Sequence, residues 1–250
     1  MPRLMLSDEL WSTLRKIMLE QGFYDKRHFR KTVEGILYRM RTGCPWRDLP
    51  RYFGKWSSVY QQFNRWSASE KLIGTFQLLA NEPDFEWSFI DGSIIKAHQH
   101  SAGAAGGGDQ GIGKSRGGLT TKIHMSVDSC GFPLHFKITG GEVHDSKTAP
   151  ELIDEMPVTE YVIGDKGYDS EAIREQIEKR GSKVVIPRKS NSKKGNKDMD
   201  WYLYKCRHLV ENIFARIKHF RAIATRYDKL KRNYLSMVAL ACGFIWLPMR

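Results

Sequence analysis

The sequence predicts an α/β fold: an all-helical N-terminal region followed by a mixed sheet that is covered by helices. Apolar residues recur at helical spacing through the first 80 residues of the 250-residue chain. From Trp87 the pattern changes to short apolar runs typical of strands, and these alternate with helical segments. We therefore expect a boundary near residue 80, with one domain at 1–80 and a second at 81–250.

Three helices are predicted in the first domain. The first begins at Ser7, a residue type that caps helices. The second runs from about His28 to Thr42, and Gly43 is a natural stop. A connector that begins at Cys44 leads to a polar third helix over Ser57–Ser67. Helix, tight connector and polar helix together resemble a helix-turn-helix arrangement.

The polar face of the third helix supplies candidates for DNA contact. Gln61, Gln62 and Arg65 are of types that read base edges through paired hydrogen bonds. A small helical bundle used for packing or dimerisation is the alternative interpretation. The segment Leu72–Pro83 is interpreted as the linker into the second domain.

The second domain is predicted to alternate strands and helices after a hairpin. The expected strands are Ser88–Ile95, Thr121–Val127, Leu134–Thr139, Tyr161–Gly164 and Lys183–Ile186. The expected helices are Thr148–Met156, Ser170–Arg180, one centred on Glu211 and a core helix over Leu235–Leu247. Ser101–Gly118 is a Gly-rich stretch, and Lys189–Lys197 is a short basic connector.

Charge is distributed unevenly along the chain. Residues 1–80 carry +7, residues 81–187 carry −6 and residues 188–232 carry +10. Basic flanks suit double-stranded DNA as a partner, and an acidic centre that acts on phosphates requires divalent cations. No apolar run approaches the ~20 residues that cross a bilayer, so no membrane partner is expected. Four widely spaced cysteines suit a reducing cytoplasm.

Two aspartates follow short apolar strands in the acidic middle of the chain. Asp91 and Asp165 each precede a glycine within two residues, and such positions place carboxylates at a strand end or a crevice beside it. Converging carboxylates repel unless cations lie between them, and their oxygens suit Mg²⁺ or Mn²⁺. Asp145, beside His144, is a competing acid. Histidines without ligand spacing, expected to be structural or DNA-facing, are His98, His100, His124 and His135.

A third acid lies in a helical stretch near the C-terminus. Tyr204, Arg207, Glu211 and Lys218 are spaced so that one helix places them within an arc of roughly 60°, along the edge of a broad apolar face. The arrangement favours a carboxylate that is held firmly and partly shielded from water. An ordinary Arg–Glu pair one turn apart is the alternative.

This stretch, Y-x2-R-x3-E-x6-K, resembles the signature of DDE-type insertion-sequence transposases. FIDGS around Asp91, IGDKGYDS around Asp165 and KSRGGLTTKIH over Lys114–His124 resemble the same family, and all four motifs occur in the family's order. The resemblance implies a ribonuclease H-like fold for the second domain. It also implies action as a homodimer or a larger assembly on DNA.

The resemblance further implies roles for individual residues. Asp91, Asp165 and Glu211 would be the catalytic triad and would bind two Mg²⁺ or Mn²⁺ ions. Arg207 and Lys218 would contact phosphates near the cleaved bond, and Tyr204 would hydrogen-bond or stack against the strand end.

The Gly-rich stretch contains a formal match to a nucleotide-binding motif. Gly108–Ser115 reads G-x4-G-K-S, but that motif needs a strand directly before it and a helix directly after it. The sequence predicts neither, so no nucleotide site is expected. We expect instead a loop whose Lys114 and Arg116 contact DNA phosphates.

The sequence therefore predicts a transposase that cleaves DNA at the terminal inverted repeats of its element and joins the freed 3′-hydroxyl to target DNA. A bacterial cytoplasmic protein associated with the nucleoid is expected. Two alternatives remain open at this level: a non-catalytic helix-turn-helix DNA-binding protein, and a metal-dependent nuclease that does not join strands.

Overall fold

The computed structural model describes residues 2–80, 82–103 and 108–250. The chain forms two compact units that interleave along the sequence. The first unit comprises residues 1–81, 97–110 and 217–250, and the second comprises residues 82–96 and 111–216. The C-terminal residues thus group with the N-terminal helices, so the compact units do not divide at a single point near residue 80. The separate roles expected for 1–80 and 81–250 stay a prediction.

Helices precede, follow and alternate with the strands. In chain order the elements are α1 (Asp8–Glu20), α2 (Phe29–Thr42), α3 (Trp56–Ala68), α4 (Lys71–Leu79), β1 (Trp87–Ala97), β2 (Gly113–Ser115), β3 (Gly118–Val127), β4 (Pro133–Gly140), α5 (Asp145–Glu155), β5 (Tyr161–Gly164), α6 (Glu171–Lys179), β6 (Lys183–Val185), α7 (Trp201–Lys205), α8 (His208–Lys218), α9 (Arg221–Ala224), β7 (Thr225–Arg226) and α10 (Lys231–Trp246). In the described part of the chain no helix is long and apolar enough to cross a membrane.

The predicted caps of the first unit are present. The Ser7 hydroxyl accepts a hydrogen bond from the backbone N–H of Leu10 at 3.2 Å, which begins α1. Gly43 ends α2 in the left-handed region with φ 67°. An added Cβ on Gly43 would lie 2.9 Å from the Arg221 side chain, so close packing also requires glycine there.

Two predictions for this unit are wrong. The connector between α2 and α3 is not tight, because it spans residues 43–55 and contains two 3-10 turns. The segment predicted as a linker instead contains α4, whose Leu72, Phe76 and Leu79 are buried. Their spacing is helical, and Leu79 packs against Gly243 of α10. Residue 81 of that predicted linker lies outside the described residues.

A buried ion pair links α2 to the segment before α10. Arg39 donates two hydrogen bonds to the Asp228 carboxylate, each 3.2 Å long, and both side chains are 6% exposed. The Arg39 guanidinium also lies over the Trp46 ring, 4.8 Å from its centroid. Each charge is thus buried only together with its partner.

We predict that Asp228→Ala lowers the free energy of unfolding by about 3–5 kcal/mol, because it leaves the Arg39 guanidinium buried without a counter-charge. Urea denaturation followed by circular dichroism measures the change. The control is Asp25→Ala, which removes the solvent-exposed partner of Arg15 and should leave the unfolding midpoint unchanged. Equal midpoints for Asp228→Ala and wild type would contradict the prediction.

The second unit is built on a mixed sheet. The strand order is β2-β3-β1-β5-β6, and β4 also pairs with β3. β3 runs antiparallel to β1, β2 and β4, whereas β5 runs parallel to β1 and to β6. Parallel pairing of β1 with β5 requires a crossover connection, and α5 lies within it.

One face of this sheet is covered by α5 and α6. Ile90 of β1 packs in a fully buried cluster with Leu152 and Ile153 of α5 and Ile173 and Ile177 of α6. Burial of these side chains contributes most of the stabilisation on this face. The same cluster includes Tyr168, whose ring packs among them.

Three element boundaries differ from the sequence-based expectation. β1 runs from Trp87 to Ala97, slightly longer than the predicted Ser88–Ile95, and Asp91 lies inside it. Lys114 lies in strand β2 and Arg116 in the turn that joins it to β3, so the expected loop is a hairpin. Residues 104–107 of the Gly-rich stretch lie outside the described residues. The predicted helix around Glu211 is broken at Cys206 and Arg207, which form a turn between α7 and α8.

Candidate active site

Asp91 in β1 and Asp165, directly after β5, lie side by side where these two neighbouring strands run parallel. The register pairs Ile90 of β1 with Gly164 of β5, and each aspartate is the next residue along its strand direction. Paired strands are about 4.8 Å apart, so the two carboxylates leave the sheet at the same level. Sheet pairing therefore brings together two acids that are far apart in the sequence.

Each of the two aspartates accepts a hydrogen bond from a nearby glycine. Asp91 Oδ1 accepts from the N–H of Gly92 at 2.7 Å, and Asp165 Oδ1 accepts from the N–H of Gly167 at 2.7 Å. Asp165 thereby caps a 3-10 turn over Lys166–Tyr168. Both carboxylates are fixed through one oxygen, and the second oxygen of each is directed elsewhere.

Arg207 bridges the acids from strand and helix. Its guanidinium donates to Asp91 Oδ2 at 2.8 Å and also to the Glu211 carboxylate. Glu211 lies in the first turn of α8, where a helix favours negative charge. Asp91 and Glu211 thus share a single positive partner.

The pKa shifts at the site agree with three acids grouped around this guanidinium. Burial would lower the pKa of Arg207, but the carboxylates of Asp91, Glu211 and Asp165 are among the charges that raise it above its usual value. The pKa of Asp91 is raised, first by burial and then by the charges of Asp165 and Asp145, although the Gly92 N–H and Arg207 oppose the shift.

The other two residues of the Tyr204–Lys218 stretch have different surroundings, although the charge of Tyr204 is among those that raise the pKa of Arg207. Tyr204 belongs to α7, is half-buried and meets the Trp201 ring edge-on at 5.7 Å. Lys218 is the last residue of α8 and belongs to the first unit, and burial lowers its pKa. The expected single stripe on one helix is wrong, because the turn at Cys206–Arg207 divides the stretch.

The other residues predicted to contact DNA lie on exposed or partly exposed surfaces. Lys114 and Arg116 are exposed on the β2–β3 hairpin. In the first unit, Gln61 is exposed, and Gln62 and Arg65 line a cavity of about 580 Å³ beside basic and aromatic side chains. The structure therefore leaves all five accessible to a large ligand.

A fourth acid, Asp145, lies next to the site. Its Oδ2 accepts from Lys122 Nζ at 3.2 Å, and its Oδ1 lies 3.2 Å from His124 Nδ1. Burial would raise the pKa of Asp145, but His124 and Lys122 hold it below the usual value. Lys122 and His124 are the two ionisable residues of β3 and lie two apart, hence on one face of the strand, which is the signal that could have identified them.

Comparison with known proteins places the chain in a family. A family model described as "Transposase DDE domain" matches residues 84–246, well over half of the chain. The chain belongs to the DDE transposase family. The DDE domain is ribonuclease H-like, so the predicted fold class is confirmed for this transposase. A second model, described as "Putative transposase of IS4/5 family", matches residues 6–74.

Individual relatives agree with this assignment. The "Putative transposase for insertion sequence element IS6501" of Brucella ovis is 34% identical over 129 residues, which are 52% of this transposase and 99% of that protein. The "Putative transposase for insertion sequence element IS402" of Burkholderia cepacia is 29% identical over 142 residues, 52% of this chain and 64% of that protein. The "Transposase for insertion sequence element IS1106" of Neisseria meningitidis serogroup B is 30% identical over 134 residues, 50% of this chain and 45% of that protein.

The oxygen atoms of this site are of the chemical type that binds divalent cations. Carboxylate oxygens are the ligands that Mg²⁺ and Mn²⁺ prefer, and the buried Tyr168 hydroxyl beside them has no hydrogen-bond partner. Among the described residues, however, no three His, Cys, Asp or Glu side chains converge closely enough to hold a metal ion. In this structure Arg207 supplies the positive charge between the carboxylates of Asp91 and Glu211.

We predict that Arg207→Gln lowers the free energy of unfolding of this transposase by about 1–3 kcal/mol when divalent cations are absent, because Asp91 loses its charged partner in a largely buried position. Thermal denaturation in EDTA measures the effect. Arg216→Gln is the control in the adjoining helix α8, since Arg216 is exposed and its guanidinium lies over the Phe132 ring. An unchanged transition for Arg207→Gln would contradict the prediction.

Proposed function

We propose that this DDE transposase cleaves DNA at the ends of its insertion sequence and joins the freed 3′-hydroxyl to target DNA. The observation that carries the proposal is the gathering of Asp91, Asp165 and Glu211 around the Arg207 guanidinium. A guanidinium that pairs with two carboxylates, with a third on the neighbouring strand, marks a place where positive charge is required. Phosphoryl transfer on DNA requires positive charge next to the reacting phosphate.

The three acids are the residues that would hold the divalent cations. When bound, two Mg²⁺ or Mn²⁺ ions supply activation of the attacking oxygen and stabilisation of the leaving oxygen. Asp91 and Asp165 offer the oxygens that the glycine N–H groups leave unused, and Glu211 approaches from α8. Arg207 would then exchange its carboxylate partners for phosphate oxygens, for which a guanidinium is equally suited.

The remaining contacts to DNA are assigned by charge and exposure. Tyr204 would stack on or hydrogen-bond to the strand end, and Lys218 would contact phosphate. Residues 1–80 would bind the terminal inverted repeats through α3, with Gln61, Gln62 and Arg65 directed to DNA. A homodimer or larger assembly would bridge two ends, and a DNA substrate implies a place in the bacterial cytoplasm beside the nucleoid.

We predict that Asp91→Ala, Asp165→Ala and Glu211→Ala each reduce Mg²⁺-dependent strand cleavage to the level seen in EDTA, because each removes a carboxylate that would hold a cation. The measurement is release of a free 3′-hydroxyl from labelled duplexes that carry the ends of the element encoding this chain. Asp169→Asn is the matched control, since Asp169 pairs with Arg174 in the same unit and should retain cleavage if the variant folds. Full cleavage by any of the three alanine variants would remove that residue from the triad.

The same assay separates the alternative functions. Joining of the cleaved ends into a target plasmid distinguishes a transposase from a nuclease that only cuts. Binding to the duplex without cleavage in Mg²⁺ or Mn²⁺ would leave a DNA-binding protein without catalysis. The carboxylate arrangement around Arg207 favours a catalytic role, because DNA binding alone has no use for converging acids.

We predict that the double variant Lys114→Ala/Arg116→Ala weakens DNA binding about equally for all sequences and lowers the slope of log affinity against log salt by about 2. Both residues are exposed on the β2–β3 hairpin and would each neutralise one phosphate. Fluorescence anisotropy at several salt concentrations measures the slope. Lys179→Ala, which removes a charge from α6, should leave it unchanged, and an unchanged slope for the hairpin variant would exclude these phosphate contacts.

A further inference from the structure

Asp145 occupies space that the sequence keeps open at Gly92, the residue after Asp91. A Cβ built on Gly92 would lie 2.2 Å from Asp145 Oδ1. Gly92 pairs with His124 across the β1–β3 ladder, so the Asp145 carboxylate lies above the strand pair that carries Asp91. Asp145 begins α5, and the glycine at position 92 allows the carboxylate to approach the strand closely.

Two cationic or dipolar side chains of β3 hold this carboxylate in place. Lys122 is buried, and its Nζ donates both to Asp145 and to the carbonyl of Val143 at 2.9 Å. The His124 ring is 1% exposed and is anchored by the contact of its Nε2 with the Thr139 hydroxyl at 2.9 Å. Asp145 is therefore oriented from two sides and not simply solvated.

Polar atoms around Asp145 are buried without hydrogen-bond partners. They are Asp145 Oδ1, His124 Nδ1 and the Tyr168 hydroxyl. The Oδ1–Nδ1 contact of 3.2 Å lacks hydrogen-bond alignment. Tyr168 is 1% exposed; its pKa is raised well above the usual value, first by burial and then by the charges of Asp145, Asp91 and Asp165. Buried polar atoms of this kind need a further partner, such as water or an ion.

We propose that Asp145 is a fourth acidic residue of the active site, a positioning residue that contacts a hydrated divalent cation through its water shell beside Asp91. Mg²⁺ and Mn²⁺ keep several water molecules when bound by few carboxylates, and those waters need acceptors. Asp145 Oδ1 is an acceptor with no hydrogen-bond partner, and the Tyr168 hydroxyl lies among the same carboxylates. This inference rests on the proposed metal-dependent function.

The test measures Mn²⁺ binding to the full chain. Binding is monitored by electron paramagnetic resonance, in which the signal of free Mn²⁺ decreases as the ion binds. We expect Asp145→Asn to weaken Mn²⁺ affinity by about 10- to 100-fold. This range is typical of residues that hydrogen-bond to a metal's ligands and do not bind the metal directly. Asp169→Asn is the matched control, because Asp169 is also a largely buried aspartate paired with a basic side chain, Arg174, in the same unit. It should bind Mn²⁺ as wild type does.

A second variant tests the position without removing the acid. Gly92→Ala keeps every carboxylate but adds a Cβ that displaces Asp145 Oδ1. We expect it to weaken Mn²⁺ affinity like Asp145→Asn, and the double variant to show no further loss, since both changes remove one interaction. Additive losses would overturn the assigned position above Gly92.

The outcomes separate this inference from the proposed function. Wild-type affinity in Asp145→Asn, or an equal loss in Asp145→Asn and Asp169→Asn, would overturn the role of Asp145 while leaving the triad intact. Absence of Mn²⁺ binding in wild type, in Asp145→Asn and in Asp91→Asn alike would overturn the proposed metal-dependent function itself.

Discussion

The arrangement of acids in this transposase depends on the ion pairs that the Arg207 guanidinium forms. Asp91 is largely buried, and the charges of Asp165 and Asp145 disfavour its ionised form. Like charges repel more strongly where water is partly excluded. Arg207 offsets the repulsion by pairing with Asp91 and Glu211 together, so a strand residue and a helix residue share one counter-charge.

Sequence motifs nominate the acids of the candidate site but do not encode its local geometry. Asp91, Asp165 and Glu211 follow from motifs in a fixed order, and the mixed sheet follows from the change of apolar spacing at Trp87. Spacing did not reveal the turn at Cys206–Arg207, because a helical pattern continues through it on both sides. Arg207 in that turn donates to Asp91, a contact between residues far apart in the sequence that no local pattern encodes.

Asp145 shows why the rest could not be predicted. Asp145 begins α5, whereas its partners Lys122 and His124 belong to β3. Only the β1–β3 register places these partners over Gly92. Position 92 is a glycine, and the reason for it is visible only in the structure, where Asp145 fills the space that a side chain would occupy. Since an aspartate followed by a glycine is also common in turns, the pair alone does not indicate that a second carboxylate packs against the strand.

The acids of the proposed triad are held with unequal rigidity in this fold. Asp91 and Asp165 are fixed by parallel pairing of buried strands and by N–H groups of nearby glycines. Glu211 is 55% exposed, and it is positioned by α8 and by its bond to Arg207. Because Arg207 lies in the turn directly before α8, any movement of its guanidinium toward another anion removes a constraint on Glu211. The sheet therefore presets the two aspartates, whereas the position of the glutamate depends on where Arg207 binds.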